Sequence, residues 1–246
     1  MNNPFSLAGK TILITGASSG IGKGIAIACA GMGAQVILTA RNTARLQETL
    51  SALEGQGHSY IPADLTDANQ RTALVEQLPT LHGVVHCAGV GSRVPCKALT
   101  QEDIDYVMKP NAEAPMLLQA ELLSEKKLAR QASVVFVASA AAVMPSAGNA
   151  AYSASKAAII AYAKCLAQEL APRQIRVNSI SPTMVWTDLA LVGASTEQLA
   201  ETEKQYPLKR YGQPQDIAHL AVYMLSDASG WMTGSDVQIT GGTQVL

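Results

Sequence analysis

Short apolar runs rich in β-branched residues alternate with longer stretches of helical pattern along the whole chain of 246 residues. Such continuous apolar runs are typical of strands in a parallel sheet that is buried on both faces. Strands that alternate with helices predict an α/β fold, with a doubly wound, mostly parallel sheet between two layers of helices. The predicted strands are Lys10–Thr15, Gln35–Thr39, His58–Ile61, Leu81–Gly89 with its turn, Val134–Ala138, Gln174–Ile180 and Val237–Ile239.

The chain shows no internal repeat beyond this alternation and no linker, so we expect a single domain over residues 1–246. A chain of this length buries roughly 70–75% of its unfolded surface and needs no disulfide to fold. The segment 184–206 is polar and mixed, and we interpret it as a mobile lid over a substrate.

Composition excludes several classes of partner. The 18 basic and 19 acidic residues form no run of one sign, which argues against a nucleic-acid or membrane surface. No apolar run is long enough to span a membrane, and the first ten residues lack a signal-peptide core, so we expect a cytoplasmic protein.

The four cysteines, Cys29, Cys87, Cys96 and Cys165, show neither a CxxC nor a metal-binding spacing. We therefore expect buried free thiols in a reducing compartment, and no metal site.

A glycine-rich turn, Gly16–Gly22, follows the first predicted strand and opens a helical pattern. Glycines let the backbone approach a ligand closely, and a helix N-terminus offers free N–H groups to a phosphate. The spacing differs from the common GxGxxG fingerprint, so an ordinary glycine-rich turn is the alternative.

The second predicted strand ends at Ala40, Arg41 and Asn42. An acidic residue here would bind the ribose hydroxyl of NAD, whereas an arginine accommodates the 2′-phosphate of NADP. We therefore predict that NADP(H) is preferred and NAD(H) possible, the alternative being that Arg41 is a solvated loop charge.

Two further loops carry candidate cofactor contacts. Asp64 follows the third predicted strand; it either contacts an adenine or is a loop acid, with Thr66 or Asp67 capping the next helix. Ala88 and Gly89 are small residues after the fourth strand, where they leave room for a flat ring or a ribose.

Tyr152 and Lys156 are four residues apart at the start of an alanine-rich helical run, which places them on one helix face. An ammonium beside a phenol favours the phenolate and suits the pair to general acid–base work, although a chance pair on a solvated helix is the alternative. Ser139 follows the strand Val134–Ala138, at the strand end where parallel sheets bind ligands.

The segment after Leu99 predicts an interrupted helix. Thr100 and Asp103 have the spacing of a capping box, and Pro110 and Pro115 should break the helix that follows. Asn111 lies at that break.

Taken together, Thr15-Gly16-xxx-Gly20-x-Gly22, Asn111, Ser139 and Tyr152-xxx-Lys156 resemble the short-chain dehydrogenase/reductase family. The resemblance extends from about Ser6 to Gly242 and is strongest to bacterial 3-oxoacyl-(acyl-carrier-protein) reductases. It implies a Rossmann-type fold and an oxidoreductase that uses a nicotinamide cofactor.

The resemblance also implies roles for four residues. Tyr152 would be the general acid in carbonyl reduction, or the base in alcohol oxidation, and Lys156 would assist it and hold the nicotinamide ribose. Ser139 would hydrogen-bond the substrate oxygen, and Asn111 would hold a water in a proton relay.

For the cofactor, the resemblance implies pyrophosphate contacts in the glycine turn, an adenine contact at Asp64 and an amide contact at Thr187. The full set of expected cofactor contacts is Gly16, Ser18, Ser19, Gly20, Ile21, Gly22, Arg41, Asn42, Asp64, Leu65, Ala88, Gly89, Tyr152, Lys156, Pro182, Val185 and Thr187.

Three positions depart from the family pattern. His86 and Cys87 replace two asparagines, the first of which ties neighbouring strands together; we expect His86 to be a buried, hydrogen-bonded histidine without a catalytic role. Thr183 replaces a glycine beside the nicotinamide, and Ser19 stands where NADP-preferring members often carry a basic residue.

Three functions follow as hypotheses. The first is NADPH-dependent reduction of a ketone or 3-oxoacyl thioester, with a small-molecule or acyl-carrier-linked substrate. The second is oxidation of a sugar, steroid or other secondary alcohol. The third is a non-catalytic cofactor-binding sensor, which the intact Tyr152 and Lys156 disfavour.

The helix over 152–170 is apolar on much of its circumference, so one side can pack on the sheet and another on a second subunit. The stretch 231–242 resembles the family's second interface. We expect a homotetramer or homodimer; burial of the helix within one chain is the alternative.

Overall fold

The computed structural model describes residues 3–191 and 195–243. Within these ranges, seven parallel strands form one sheet in the order β3-β2-β1-β4-β5-β6-β7. The strands are β1 Thr11–Thr15, β2 Gln35–Thr39, β3 Ser59–Tyr60, β4 Leu81–His86, β5 Leu128–Val137, β6 Arg176–Pro182 and β7 Asp236–Ile239. The strand order reverses beside β1, which confirms the predicted Rossmann-type, doubly wound α/β fold.

Helices cover both faces of the sheet. In the described residues they are α1 Gly20–Gly31, α2 Thr43–Ser51, α3 Ala68–Gln77, α4 Gln101–Met108, α5 Ala114–Ser124, α6 Ala150–Leu170, α7 Thr196–Glu203 and α8 Pro214–Leu225. Helices α1 and α8 pack with one apolar cluster, and α3, α5 and α6 pack with the other.

The central strand β5 shows why its apolar run is continuous. Val134 and Phe136 belong to the cluster on one face of the sheet, while Val135 and Val137 belong to the cluster on the other. Since successive side chains of a strand point to opposite faces, burial on both faces requires every position to be apolar.

The long helical segment after Leu99 is interrupted as predicted. The Thr100–Asp103 capping box starts α4, and Lys109–Glu113 form a five-residue π-helical turn around Pro110 before α5 begins. Pro115 does not interrupt the helix, because it lies in the first turn of α5, where a missing N–H is tolerated.

Strand β5 begins six residues earlier than predicted. Its first half, LARQA, is not an apolar run, and Gln131 has a positive φ of 64° where the register with β4 shifts. The irregular first half of β5 therefore shows no periodic apolar pattern in the sequence.

The prediction that all four cysteines are buried is wrong for two of them. Cys29 is buried in α1 and Cys87 is half-buried, but Cys96 and Cys165 are exposed. Cys96 lies in a short 3₁₀ turn, and Cys165 lies on the outer face of α6, between the inward-facing Ala163 and Leu166. All four are free thiols, as expected.

Of the helices in the described part of the chain, none combines the length and the apolar character needed to cross a membrane.

Candidate active site

A cleft of about 1470 Å³ opens along the carboxyl ends of β1, β2, β4, β5 and β6. This edge of a doubly wound sheet is where ligands bind. Every residue predicted to contact a cofactor lines this cleft, and so do Ser139, Tyr152 and Lys156. Asn111 is the exception among the predicted site residues, because it lies behind the cleft wall.

The glycine turn is held in a conformation that only glycine tolerates. Gly16 and Gly20 have positive φ angles of 65° and 52°. A Cβ at Gly16 would lie 2.8 Å from the backbone of Ala88, and a Cβ at Gly22 would overlap the carbonyl oxygen of Gly16. The turn thus leaves the N-terminus of α1 open to the cleft, with no acidic residue in its first turn.

Thr15 connects the glycine turn to the neighbouring strand end, a role that the sequence did not reveal. Its Oγ1 accepts hydrogen bonds from the backbone N–H groups of Cys87 and Ala88, both at 3.0 Å. These bonds fix the small-residue turn after β4, and a threonine at a strand end carries no signal that would predict them.

Arg41 and Asp64 lie near each other at the end of the cleft beside β2. Burial acts to raise the pKa of Asp64, but two hydrogen bonds from Thr66, at 2.7 and 3.0 Å, and the charge of Arg41 hold that pKa below its ordinary value. Asp67, rather than Thr66, caps α3 by accepting from the N–H of Gln70. Asp64 is therefore a hydrogen-bonded loop acid that also faces the cleft.

Asn42 caps α2 by accepting from the N–H of Arg45, and both residues line the cleft. Arg45 also forms an exposed ion pair with Asp188 across the cleft, at 3.3 Å. Because these two residues are far apart in the sequence, no local pattern predicted the pair.

Tyr152 and Lys156 lie on one face of α6, as their spacing predicted. Lys156 is 6% exposed, and its Nζ donates to the carbonyl of Val137 at 2.9 Å. Nζ lies 5.8 Å from the centre of the Tyr152 ring. The pair therefore lies at the cleft with its ammonium buried, and not on a solvated face of the helix.

Ser139 lies just after β5, where it caps a short 3₁₀ turn by accepting from the N–H of Ala141 at 3.1 Å. Its hydroxyl lies 3.5 Å from the carbonyl oxygen of Pro182, at the end of β6. Ser139 is thus held between two strand ends and is half-buried in the cleft wall.

Asn111 lies in the π-helical turn and is 2% exposed. Its Oδ1 accepts from the N–H of Val90 at 2.8 Å, while its Nδ2 donates to the carbonyl of Val90 at 3.0 Å and to Ser155 Oγ at 3.2 Å. Oδ1 would also lie 3.0 Å from a Cβ at Gly89. Asn111 therefore clamps the loop after β4 against α6 from behind the cleft.

His86 points away from the cleft, into the apolar layer beneath α5. Its Nε2–H donates to Gln119 Oε1 at 3.1 Å, and its ring stacks on Phe136 at 4.5 Å. Burial lowers the pKa of His86 to about 4, against a smaller opposing effect of Gln119, so the ring is neutral near pH 7. The predicted burial is confirmed, although Nδ1 has no partner in the described residues.

The neighbouring departure, Cys87, does face the cleft. Burial raises the pKa of this thiol to about 12, despite the opposing charge of Lys156. Cys87 is therefore a neutral thiol in the wall of the cleft near pH 7.

Thr183 keeps its main chain in the sheet. Its N–H donates to the carbonyl of Ile239 at 3.0 Å, and its hydroxyl lies 3.5 Å from the same oxygen. The side chain thus turns toward β7, which accommodates a threonine where the family pattern has glycine.

The predicted lid contains more secondary structure than the sequence suggested. Its described part includes a 3₁₀ turn at Asp188–Leu191 and the helix α7, which opens with a Ser195–Gln198 capping box; residues 192–194 lie outside the described residues. Thr187 faces the glycine turn, since a Cβ at Gly20 would be 3.0 Å from its Cγ2.

The cleft fits a dinucleotide. Glycines at 16 and 22 let the turn pack against Ala88 and against itself, which keeps the N-terminus of α1 open to the cleft as a site of the kind that binds phosphate. In the described ranges, no three histidine, cysteine or acidic residues are grouped as a metal site would require.

Comparison with known proteins agrees with this geometry. The family profile described as enoyl-(acyl carrier protein) reductase matches residues 16–244. The chain is 35% identical to an L-xylulose reductase of Caenorhabditis elegans over 97% of both chains. It is 31% identical to a 3-oxoacyl-(acyl-carrier-protein) reductase of Rickettsia conorii over 96% of this chain and 97% of that one.

Among solved structures, a putative NAD(P)-dependent gluconate 5-dehydrogenase from Beutenbergia cavernae with bound NADP aligns with a TM-score of 0.88. It is 31% identical, and the alignment covers 98% of each chain. The chain belongs to the short-chain dehydrogenase/reductase family, and it is an NAD(P)-dependent oxidoreductase.

Proposed function

We propose that the chain reduces the carbonyl of a ketone or a 3-oxoacyl thioester with NADPH. The observation that carries this proposal is the arrangement of Tyr152 and Ser139 on the cleft wall above the buried ammonium of Lys156. Two hydroxyl donors beside a fixed cation suit a reaction in which negative charge develops on an oxygen.

The cofactor, when bound, supplies the hydride, and the protein supplies orientation and the proton. Ser139 and Tyr152 donate hydrogen bonds to the carbonyl oxygen, and the Tyr152 hydroxyl gives its proton to that oxygen as it becomes an alkoxide. Lys156 then stabilises the phenolate that remains, since an adjacent opposite charge favours the ionised form. Asn111 would hold the water that returns a proton to this site.

The glycine turn and the N-terminus of α1 would hold the pyrophosphate, and Asp64 would approach the adenine. The preference for NADPH rests on Arg41, which lines the cleft at the end of β2 without an acidic residue beside it in the sequence. The segment 184–206 would form the lid over the substrate.

A second candidate is the reduction of a ketose-type sugar, or the reverse oxidation of the corresponding polyol. It is favoured by the match to the L-xylulose reductase, which has the higher identity of the two curated relatives reported above. The same residues would serve either direction, so the substrate distinguishes the candidates.

The test is the rate of NADPH and NADH oxidation with a panel that contains an acetoacetyl thioester, a simple ketone and a ketopentose. The matching alcohols are tested with NADP and NAD. We expect NADPH-dependent turnover of a carbonyl, with the best substrate identifying the class. If the cofactor binds but every carbonyl and alcohol is inert, the proposal is wrong.

The cofactor preference is tested with Arg41→Ala. Removal of a cation that pairs with a phosphate should lower kcat/KM for NADPH roughly tenfold and leave that for NADH nearly unchanged. An equal loss with both cofactors would contradict the role given to Arg41.

A further inference from the structure

We infer that Glu203 is a positioning residue whose carboxylate joins Trp186 to Tyr211 and so fixes two walls of the cleft. Its kinetic consequences rest on the proposed function, but its effects on Trp186 and on cofactor affinity do not.

A single carboxylate oxygen holds both partners. Glu203 Oε1 accepts from the indole Nε1–H of Trp186 at 2.8 Å and from the backbone N–H of Tyr211 at 2.8 Å. Glu203 is the last residue of α7, while Trp186 precedes that helix and Tyr211 follows it. The carboxylate therefore ties the chain before α7 to the chain after it.

Backbone hydrogen bonds join the same two parts of the chain, the one before α7 and the one after it. The N–H of Trp186 donates to the carbonyl of Gly212 at 2.9 Å, and the N–H of Gly212 donates to the carbonyl of Met184 at 3.0 Å. We call this assembly of 184–186, Glu203 and 211–212 the neck. Glu203 supplies its side-chain contribution at the end of a helix that buries only Leu199 among the residues described for it.

The first wall lies next to Trp186. Thr187 follows it directly and contacts the glycine turn, where a Cβ at Gly20 would be 3.0 Å from its Cγ2. Because Thr187 is the next residue, a shift of the main chain at Trp186 would move Thr187 relative to the turn proposed to hold the cofactor.

The second wall lies next to Tyr211. The Tyr211 ring is fully buried, and Tyr206 packs edge-on against it with ring centres 4.9 Å apart. Tyr206 lines the cleft, and a Cβ at Gly241 would be 3.3 Å from its Cδ1. The Tyr211 ring also lies 5.4 Å from that of Trp186, so one aromatic cluster carries both walls.

The charge of Glu203 is maintained at this position. The backbone N–H of Tyr211 and then the indole of Trp186 lower the pKa of Glu203, and Arg210 adds to the effect. Arg210 itself binds Asp216 through two hydrogen bonds, at 2.6 and 3.0 Å, so it is not the main partner of Glu203. Hydrogen bonds to an ionised acceptor are stronger than neutral ones, which suits Glu203 to a positioning role.

The experiment uses Trp186 as its own reporter. The chain has two tryptophans, and the other, Trp231, is fully exposed. The substitution Trp231→Phe leaves Trp186 as the only source of tryptophan fluorescence. In that background we compare Glu203→Ala, Glu203→Gln and the control Glu201→Ala. Glu201 is an exposed carboxylate of the same helix that pairs with Lys204 and does not contact the neck.

We expect Glu203→Ala to change the emission of Trp186 and to raise the NADPH Kd and the substrate KM roughly tenfold, as expected for the loss of a charge-assisted hydrogen bond. The kcat should change less than about threefold, because the reacting groups lie elsewhere. Glu203→Gln keeps an acceptor oxygen and should recover part of the affinity, while Glu201→Ala should match its parent.

A second variant keeps the test valid if Glu203→Ala does not fold. Trp186→Phe removes the N–H donor and keeps an aromatic side chain, although a smaller one, so it should raise the NADPH Kd at least as much. The double variant should lose less affinity than the sum of the two single losses, because both single variants remove the same Trp186–Glu203 hydrogen bond.

The inference is overturned if Glu203→Ala and Glu201→Ala give the same Trp186 emission and NADPH affinity, or if Trp186→Phe binds NADPH like its parent. If no carbonyl is turned over while emission and affinity change as expected, the positioning role stands and the proposed function fails.

Discussion

Lys156 is a charged side chain that is almost fully buried at the site. Burial of an ammonium is costly unless its hydrogen-bonding groups are satisfied. In the described residues, one of its three donors goes to the carbonyl of Val137. Lys156 lines the cleft, and its remaining donors are the physical reason to expect a ribose hydroxyl and the Tyr152 oxygen beside them.

The buried His86 makes stability depend on pH. Burial lowers its pKa to about 4, whereas an unfolded histidine has a pKa of about 6.5. Between these values the unfolded chain binds more protons, so the free energy of unfolding falls as the pH falls from about 6.5 to 4. At about 1.4 kcal/mol per pKa unit, the full loss is roughly 3 kcal/mol.

Urea unfolding at pH 7 and pH 4.5 measures this effect. Wild type should lose more stability than His86→Asn over that interval, whereas His219→Asn, which alters an exposed histidine of α8, should behave like wild type. Equal pH dependence of wild type and His86→Asn would show that His86 is not buried as described.

Among individual residues, the sequence predicted those whose signals lie close together along the chain. Tyr152 and Lys156 are one helical turn apart, and Ser139 follows an apolar run, so both signals lie within a few residues. Thr15 and Glu203 could not be found in this way. The partners of Thr15 are 72 and 73 residues away, and Glu203 acts only because the chain returns to Trp186 after α7.

The junction of β1 with α1 is the element that decides whether a cofactor can bind. A Cβ at Gly22 would overlap the carbonyl oxygen of Gly16, so Gly22→Ala must push the turn away from the helix. We expect this variant to raise the NADPH Kd at least about tenfold and to lower the melting temperature, as overpacking of a tight site does.

Gly31→Ala is the matched control in the same helix. A Cβ there would have only Glu54 Oε2 nearby, at 3.9 Å, and φ is not positive. Since alanine favours a helix over glycine by up to about 1 kcal/mol, Gly31→Ala should leave NADPH binding unchanged and stability equal or higher. Similar effects of Gly22→Ala and Gly31→Ala would contradict the close packing of the turn.

Elements were predictable where apolar periodicity and caps agreed. The strands β1, β2 and β4 lie where they were expected, because each begins or ends at a local signal. The start of β5 and the helix α7 were missed. The former is irregular, and the latter is polar with only Leu199 buried among its described residues, so neither shows a clear period.

For the whole molecule, assembly into a homotetramer or homodimer stays a prediction, and the apolar side chains exposed on the described surface are the reason to expect it. Ala157 and Ala161 are exposed on α6, Leu117 on α5 is 47% exposed and Trp231 is fully exposed. Within the chain, α6 is buried on one side only, so we expect its other side to pack on a second subunit.

Light scattering tests this assembly. The wild-type chain should be a dimer or tetramer, and Ala161→Arg should give a smaller species, because it places a long charged side chain on the exposed face of α6. Gln47→Arg, on the exposed surface of α2, serves as the control and should not change the mass. A monomeric wild type at high protein concentration would contradict the prediction.

The central claim is that Tyr152 is the general acid, and the most direct measurement is kcat for NADPH oxidation by Tyr152→Phe with the best carbonyl of the panel. A general acid contributes about 100- to 10,000-fold to rate, so kcat should fall by a factor in that range while the NADPH Kd changes little. Tyr106→Phe removes a hydroxyl from the same cleft and should keep wild-type kcat. Retention of more than roughly a tenth of the activity by Tyr152→Phe would contradict the claim.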